Sequence, residues 1–266
     1  MQLFSDPISM GLLASLLAGL ATGLGALPIL LKKDFSRRTL DLMLGFAAGV
    51  MLAASAFSLL VPAFQEQAVV DAGWTGVFTI VGAGFLIGAL FVHMTDKYLP
   101  HEHFQKGSEG PSSNLGRVWL LVIAITIHNF PEGLAVGVSF GGGDIMTGLS
   151  VAVAIGLQNI PEGLAVAAPL VREGYSRKYA VGLAILTGLV EPIGGLIGVS
   201  VVTFAVGLLP YGLAFAAGAM IFVVGDEMVP ESHSGGNERL ATWGLMIGFF
   251  IMMILDNVFS FLFGAG

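Results

Sequence analysis

Eight apolar stretches divide the chain, and each is long enough to cross a bilayer as a helix, which takes about 20 apolar residues. Hydrophobic residues make up 55% of the sequence and charged residues only 11%, and the mean hydropathy is +0.88. This composition is typical of a polytopic membrane protein. We therefore predict one all-α integral-membrane domain over residues 1–266, with spans at residues 7–31, 40–64, 74–99, 115–140, 145–171, 179–208, 211–230 and 240–263.

The basic residues predict the orientation of these spans. All 11 lysines and arginines fall at the same end of the predicted bundle, and the positive-inside rule makes that end cytoplasmic. An even number of spans then places both termini outside the cytoplasm. Short loops without an Asn-x-Ser/Thr acceptor suit a bacterial inner membrane. Residues 100–114, rich in Gly, Ser, Pro and His, are expected to form a flexible cytoplasmic loop.

One short motif occurs twice, at mid-depth in spans 4 and 5. Residues 128–133 read His-Asn-Phe-Pro-Glu-Gly, and residues 158–163 read Gln-Asn-Ile-Pro-Glu-Gly. An ionisable group at this depth costs roughly 2.5–3.5 kcal/mol and usually faces a partner, a cavity or an ion. The first and fifth motif residues are four apart and share a helix face. Each span therefore offers one polar side chain and one carboxylate to the same site.

The prolines and glutamates of the motif point to a cation. Pro131 and Pro161 have no amide hydrogen, so each frees a carbonyl oxygen one turn earlier in its helix. Glu132 and Glu162 would repel each other in a low dielectric unless a proton or a cation came between them. Imidazole, carboxylate and amide oxygen together suit Zn²⁺ better than Ca²⁺ or Mg²⁺. The sequence thus favours a divalent-metal site.

A weaker internal sequence similarity predicts the architecture around this site. Residues 47–52 in span 2 read Ala-Ala-Gly-Val-Met-Leu, and residues 216–221 in span 7 read Ala-Ala-Gly-Ala-Met-Ile. These two spans run in opposite directions. We therefore expect spans 1–3 and 6–8 to form an inverted repeat around the antiparallel pair 4–5, with the substrate site near the midplane. Convergent small-residue packing is the alternative explanation.

The paired motifs, placed in the fourth and fifth of eight spans, resemble the ZIP family of divalent-metal transporters, and the Gln that heads the second copy resembles its GufA-like branch. The resemblance implies import of zinc, with iron, manganese or cadmium as alternatives, by alternating access. It also implies a binuclear metal centre bridged by the motif glutamates, with the ligands Met51, His128, Asn129, Glu132, Gln158, Asn159, Glu162 and Glu191. Some family members carry Asp where this chain has Asn159, so the number of metals, one or two, is left open.

Two of these ligands lie outside the motif. A lone methionine such as Met51 packs in a core far more often than it binds metal. Glu191 lies at mid-depth in span 6, where a carboxylate is functional by default, although a hydrogen bond to a neighbouring helix would also account for it.

Further polar side chains lie toward the cytoplasmic ends of the spans. They predict a release path for the metal, and the alternatives are solvated helix ends, interfacial side chains or a loop that binds nothing. These residues are Glu227, Glu231, His233, His93, His101 and His103.

Two rival functions remain at this stage. One is an intramembrane metal-dependent hydrolase with Glu132 activating a water, but the sequence has no His-Glu-x-x-His. The other is a metal-binding sensor without flux, but the cytoplasmic loops contain no output domain. A missing Gly-x-x-x-x-Gly-Lys-Ser/Thr loop leaves transport passive or ion-coupled. We expect divalent metal and lipid as partners, no enzyme activity, no organic cofactor and no nucleic acid. The Gly84 and Gly88 spacing predicts helix packing, within the chain or in a homodimer.

Overall fold

The computed structural model describes residues 6–32, 34–103, 107–114 and 116–263. This part of the chain forms eight helical spans, so the predicted all-α membrane fold is confirmed. Span 1 comprises Pro7–Ala26 and Pro28–Leu31, span 2 Arg37–Gln65, span 3 Gln67–Tyr98, span 4 Arg117–Gly141, span 5 Ile145–Arg172, span 6 Arg177–Gly188 and Glu191–Phe204, span 7 Val206–His233, and span 8 Glu238–Phe263.

Capping side chains mark where several spans begin. Asp6, Ser36, Asp144 and Ser176 each accept a hydrogen bond from a backbone N–H two or three residues further along. Such caps satisfy the amides that a helix start leaves without partners. At Asp6 the hydrogen bonds from Ser9 also hold the pKa of the carboxyl below its usual value.

Span 3 begins earlier than predicted. Its first helical residues are Gln67–Gly76, where the sequence indicated a start at residue 74. The backbone breaks inside this segment at Gly73, which has a φ of 55° and a ψ of −137°. Only glycine adopts such angles readily. The helix that continues to Tyr98 therefore begins after Gly73, close to the predicted start, and it contains a π-helical segment at Val77–Gly82.

The packing of the spans follows the expected inverted repeat. Span 2 packs against span 8 and span 7 against span 3, while span 4 packs against span 6 and span 5 against span 1. The repeat relates spans 1, 2, 3 and 4 to spans 6, 7, 8 and 5. The pair of spans 2 and 8 therefore corresponds to the pair of spans 7 and 3, and the pair of spans 4 and 6 to the pair of spans 5 and 1. A Cβ on Gly49 would overlap the carbonyl oxygen of Leu245, and a Cβ on Gly218 would overlap that of Phe85. The two Ala-Ala-Gly segments therefore lie at equivalent positions, where a neighbouring helix approaches closely.

The repeat also appears as an irregularity that the sequence analysis did not predict. Spans 2 and 7 each contain a π-helical segment, Ala54–Leu60 and Val224–Met228. Each segment is followed by a short helix that starts with Val-Pro, Val61–Gln65 and Val229–His233. Proline lacks the amide for the regular hydrogen bond, which disturbs the ladder before it. π-Helical turns are frequent at functional sites.

Close glycine contacts divide the bundle into two bodies. The first body contains spans 1, 4, 5 and 6, and the second contains spans 2, 3, 7 and 8. A Cβ on the motif glycines Gly133 or Gly163 would overlap the carbonyl oxygen of Glu191 or Thr22, within the first body. For every described glycine, such overlap with the backbone of another span occurs inside one body. Between the bodies, Gly212 faces the side chain of Val138 instead.

The spacing of Gly84 and Gly88 serves packing within the chain. A Cβ on Gly88 would overlap the carbonyl oxygen of Phe215, and a Cβ on Gly84 would lie 2.8 Å from that of Tyr211. Both partners are in span 7. Of the two uses predicted for this spacing, the structure shows the contact inside the second body.

The described cations gather at one end of the bundle, here called the basic end. Arg37 at the start of span 2 donates to the carbonyl of Glu231 near the end of span 7, at 2.8 Å. Arg177 donates to the carbonyl of Leu30 at 2.8 Å, and Arg172 donates to that of Phe35. These contacts tie the short connections at this end to the helices beside them.

The connection between spans 3 and 4 contains a small hairpin. His101–His103 pairs antiparallel with Gly107–Glu109, and His101 lies opposite Glu109. His101 is 1% exposed, and its strand packs against span 4. The sequence predicted only a flexible loop over residues 100–114, because these polar residues carry no strand pattern. Residues 104–106 lie outside the described part of the chain.

Candidate metal site and pathway

The motif helices and span 6 bury a group of polar side chains in the middle of the first body. Each has at most 1% of its surface exposed, and they are Asn129, Glu132, Gln158, Asn159 and Glu191. Buried polar atoms normally have a hydrogen-bond partner. Among the described residues, the polar atoms of Asn129, Glu132 and Gln158 have none of good geometry, and one oxygen each of Asn159 and Glu191 has none. The site therefore presents oxygen atoms that a bound cation would satisfy.

Asn159 links three spans of the first body. Its Nδ2 donates to Oε1 of Glu191 at 2.7 Å and to the carbonyl of Ala18 at 2.9 Å. This is the inter-helix hydrogen bond that we considered for Glu191, and it occupies one of the two carboxylate oxygens. Because the amide nitrogen is used, Asn159 has only Oδ1 to offer a metal.

The carboxylates of the site interact as like charges. Glu132 interacts electrostatically with Glu162 and Glu191, and Glu191 interacts with Glu162. His128 opposes this charge from beside Glu162. Like charges repel strongly when they are removed from water. Around Glu132, no three His, Asp or Glu ligand atoms of the described residues lie within 4.8 Å of one another.

A cavity opens from the basic end and reaches the motif helices. His128 and Glu162 line its inner part and are half-buried. Glu227, Glu231 and Glu102 also line the cavity. The mid-membrane site is therefore in contact with the basic end of the bundle through these two motif residues.

A second acidic group lies next to His128. Nε2 of His128 is 2.5 Å from Oε2 of the buried Glu227. Glu227 in turn offers an oxygen within 4.8 Å of one from Asp96 and one from Asp226. This is the group of three metal-ligating side chains that the described residues bring together. It extends the polar path from the motif toward the basic end.

His101 stands beside this acidic group. Its Nε2 is 3.8 Å from Oδ1 of Asp96 and 3.7 Å from Oε2 of Glu109, and its Nδ1 is 2.9 Å from the carbonyl of Leu99. The hairpin thus brings one of the two predicted loop histidines to the path. The side chain of the other, His103, lies outside the described part of the structure.

The structure does not bring His233 and His93 to the cavity. The ring nitrogens of His233 are 2.9 Å from the carbonyl of Val229 and 3.0 Å from Oγ1 of Thr242. His93 is exposed, and its ring packs edge-on against Phe222 at 5.9 Å. Neither histidine is among the cavity-lining residues. A role of either histidine in metal release stays a prediction.

Met51 is 1% exposed and lies in an apolar cluster with alanines of spans 2, 4 and 7. Burial in an apolar cluster is the ordinary environment of a core methionine. Its role as a thioether ligand stays a prediction.

Sequence reasoning missed two residues that line the cavity, Arg37 and Asp41. In the sequence, Arg37 predicts only the orientation of the bundle, and Asp41 is not part of the duplicated motif. A usable signal was present, because Asp41 is a carboxylate inside the predicted span 2, four residues after an arginine. An ionisable residue within a span is a functional candidate by default.

A separate cavity opens at the opposite end of the bundle. Ser58 and Ser150 donate to Oδ1 of Asp256 there, at 2.6 and 3.1 Å. Glu66 also lines this cavity, and burial raises the pKa of its carboxyl. His128 and Glu162 are not among its lining residues. Of these two cavities, the one at the basic end is lined by motif residues.

Comparison with known proteins gives a consistent result. The profile of a family described as ZIP Zinc transporter matches residues 101–256. The chain is 50% identical over 250 residues to zinc transporter GufA of Myxococcus xanthus, covering 92% of this chain and 97% of that protein. It is 44% identical over 238 residues to zinc transporter ZIPB of Bordetella bronchiseptica, covering 89% and 77%. It is 38% identical over 264 residues to zinc transporter ZupT of Chlorobaculum parvum, covering 94% and 97%.

Proposed function

The chain belongs to the ZIP family of zinc transporters, and on that premise we propose that it imports zinc into the cytoplasm through a site built by spans 4, 5 and 6. It is an integral membrane protein that transports divalent metal. Iron, manganese and cadmium are alternative substrates. The observation that carries the proposal is the set of buried carboxylate and amide oxygens to which the described residues offer no well-formed hydrogen bond, connected to the basic end by His128 and Glu162.

The proposed ligands fall into two unequal positions. His128, Glu132, Gln158 and Glu162 form the first, and Met51 completes it. Glu132 and Glu162 are shared with the second position, which also uses Asn129, Asn159 and Glu191. Asn159 is neutral and donates its amide to Oε1 of Glu191, so this second position has fewer charged ligands and one carboxylate oxygen that already has a hydrogen-bond partner. We therefore expect one tightly bound metal and a weaker second one.

Movement of the first body against the second would give alternating access. Close backbone contacts fasten the helices inside each body, whereas side chains meet between the bodies. The cavity that reaches His128 opens at the basic end, so this conformation corresponds to the inward-facing state. The basic end is cytoplasmic, both termini are outside, and the membrane is a bacterial inner membrane. Transport is passive or ion-coupled.

The polar residues at the basic end provide the path by which the metal leaves. The metal passes from His128 to Glu227, which belongs to the same acidic group as Asp96 and Asp226. Glu231 lines the mouth of the cavity. The first part of this order is supported by the contacts of Glu227 with His128 and with the acidic group.

Uptake of radioactive zinc into sealed proteoliposomes tests the proposal. The Glu132→Gln/Glu162→Gln variant keeps the size of both side chains and removes the two shared charges. Glu238→Gln, at an exposed position in the first turn of span 8, is the matched control. We expect zinc to accumulate with the wild type and the control, and not with the double variant. Uptake by the double variant at the wild-type rate would refute the site.

The same assay separates the two rival functions. A hydrolase would release a product that depends on Glu132. A sensor would bind zinc without accumulating it inside the vesicles, and wild-type binding without flux would refute the transporter.

A further inference from the structure

We propose that the positive charge of Arg37 occupies the outermost acidic site of the cavity at the basic end, between Asp41 and Glu231. Arg37 would thereby prevent the departing metal from being retained there. The proposal rests on the inward direction of transport proposed above. It assigns to Arg37 a role in the rate of metal release, in addition to its place in the fold.

The guanidinium of Arg37 is held between two carboxylates. Its Nε is 2.7 Å from Oδ1 of Asp41, and its Nη1 is 3.7 Å from Oε1 of Glu231. Its Nη2 donates to the carbonyl of Glu231 at 2.8 Å and to Oγ of Ser234 at 3.1 Å. The other carboxylate oxygen of Asp41 accepts from Nδ2 of Asn237 at 2.9 Å. The arginine thus joins span 2 to the end of span 7 from inside the cavity wall.

Because these side chains are largely buried, the negative charge of Asp41 is stable only with a positive charge beside it. The side chain of Asp41 is 1% exposed, that of Glu231 is 17% exposed, and that of Arg37 is 26% exposed. A buried carboxylate without a compensating cation is strongly unfavourable. If Arg37 were neutral, Asp41 would need another positive charge, and a metal ion leaving the cavity would supply one.

The position of Arg37 does not serve the helix that carries it. Arg37 is the first residue of span 2, directly after the N-cap Ser36. The start of a helix carries a partial positive charge, and a cation there is unfavourable. The ion pair with Asp41, one turn later, compensates for this. The unfavourable cation at the helix start is therefore offset by a carboxylate of the cavity wall.

The charge of the cavity explains what the arginine would do. Five described lining residues are acidic, and Arg37 is the one lysine or arginine among the described residues of the lining. The acidic residues are Asp41, Glu102, Glu162, Glu227 and Glu231. Such a lining attracts a divalent cation, and each carboxylate pair is a place where the ion can stay. By neutralising the outermost pair, Arg37 lets the metal pass from Glu227 to water.

The test compares charge removal with charge retention at this position. Arg37→Gln keeps an amide that can donate to the Glu231 carbonyl. Arg37→Lys keeps the positive charge but loses the planar guanidinium with its N–H donors in fixed directions. Zinc bound per purified protein is measured by equilibrium dialysis in detergent, and initial rates of zinc uptake are measured in proteoliposomes. The Arg37→Gln/Asp41→Asn variant removes the arginine together with its buried partner.

We expect Arg37→Gln to bind one more zinc than the wild type and to lose about tenfold in maximal uptake rate, since tighter retention appears mainly as slower release. The external zinc concentration for half-maximal uptake should fall together with the maximal rate, because a slower step after binding lowers both. Arg37→Lys and the double variant should bind the wild-type number of zinc ions, and Arg37→Lys should keep most of the uptake rate.

The outcomes separate this proposal from its premise. Equal zinc binding by the wild type and Arg37→Gln, with normal uptake by the wild type, would overturn the role of Arg37 alone. Loss of uptake in Arg37→Lys as severe as in Arg37→Gln, without additional zinc in either, would show that the arginine acts only as a structural tie. Absence of uptake by the wild type itself would overturn the proposed function, and the binding comparison would still decide whether Arg37 blocks a metal site.

Discussion

Replacing Asn159 by Asp tests how the mid-membrane site sets its number of metals. The asparagine donates two buried hydrogen bonds, to Glu191 at 2.7 Å and to the carbonyl of Ala18 at 2.9 Å. An aspartate has no donor for either and places a like charge beside Glu191. The carbonyl of Ala18 lies inside the helix Pro7–Ala26 and keeps its backbone partner, so the acceptor left without a partner is Oε1 of Glu191, and the metal-free protein should lose about 1–3 kcal/mol of stability.

Zinc should reverse this loss. The new carboxylate adds the charge that the second metal position lacks, and a ligand that binds only the folded protein stabilises it by about 2.7 kcal/mol at a hundred times its dissociation constant. We expect Asn159→Asp to unfold at a lower temperature than the wild type in the presence of a chelator. With zinc, its unfolding temperature should rise more than that of the wild type, and it should bind one additional zinc ion.

The assay is thermal unfolding of the purified protein in detergent, with and without zinc, together with equilibrium dialysis. Asn159→Ala is the matched control, because it loses the same hydrogen bonds without adding a charge. It should be destabilised and should gain no zinc. An unchanged unfolding temperature of metal-free Asn159→Asp would refute the importance of the hydrogen bonds, and an unchanged zinc content would refute the explanation for the weak second position.

Two further predictions concern packing and the hairpin. Gly133→Ala should destabilise the protein by about 1–3 kcal/mol, because its Cβ would overlap the backbone of Glu191. Gly182→Ala, with no atom within 4 Å of the new Cβ, should leave the unfolding temperature unchanged or raise it, and equal effects of the two changes would contradict the packing argument. His101→Ala should lower zinc uptake only modestly, because the acidic group that includes Asp96 stays in place, and complete loss of uptake would show that the hairpin is essential.

Much of the fold and the centre of the site were predictable from the sequence, because the bilayer imposes simple rules. A helix that crosses the membrane needs a long apolar segment, and this requirement gave all eight spans. A carboxylate at mid-depth is rare enough to stand out, and a duplicated motif indicated which helices face each other. Glu132 and Glu191 are accordingly buried in the middle of the bundle.

The remaining features depend on which helix faces meet, and periodicity does not show this. The burial of His101 depends on a hairpin that packs on span 4. The hydrogen bond between His233 and Thr242 depends on the approach of span 8. Arg37 and Asp41 became candidates only when both were found in the wall of the cavity. The first two contacts join separate elements, and Arg37, whose partner Asp41 is in the same span, also contacts Glu231 of span 7.

The central claim is that the first body moves against the second while metal is carried, and a reversible cross-link tests it most directly. The chain has no cysteine, so introduced pairs give an unambiguous signal. A Cβ on Gly212 would lie 3.8 Å from that of Val138, which matches the mean separation of about 3.8 Å in disulfides. Gly23 and Ile185, both in the first body, offer a control pair at 3.7 Å.

Zinc uptake is measured in proteoliposomes before oxidation, after oxidation and after reduction, and the extent of cross-linking is measured by mass spectrometry. We predict that oxidised Val138→Cys/Gly212→Cys stops zinc uptake and that reduction restores it. The oxidised control pair, Gly23→Cys/Ile185→Cys, should continue to transport. Undiminished uptake by fully cross-linked Val138→Cys/Gly212→Cys would contradict the movement of the two bodies and the transport mechanism based on it.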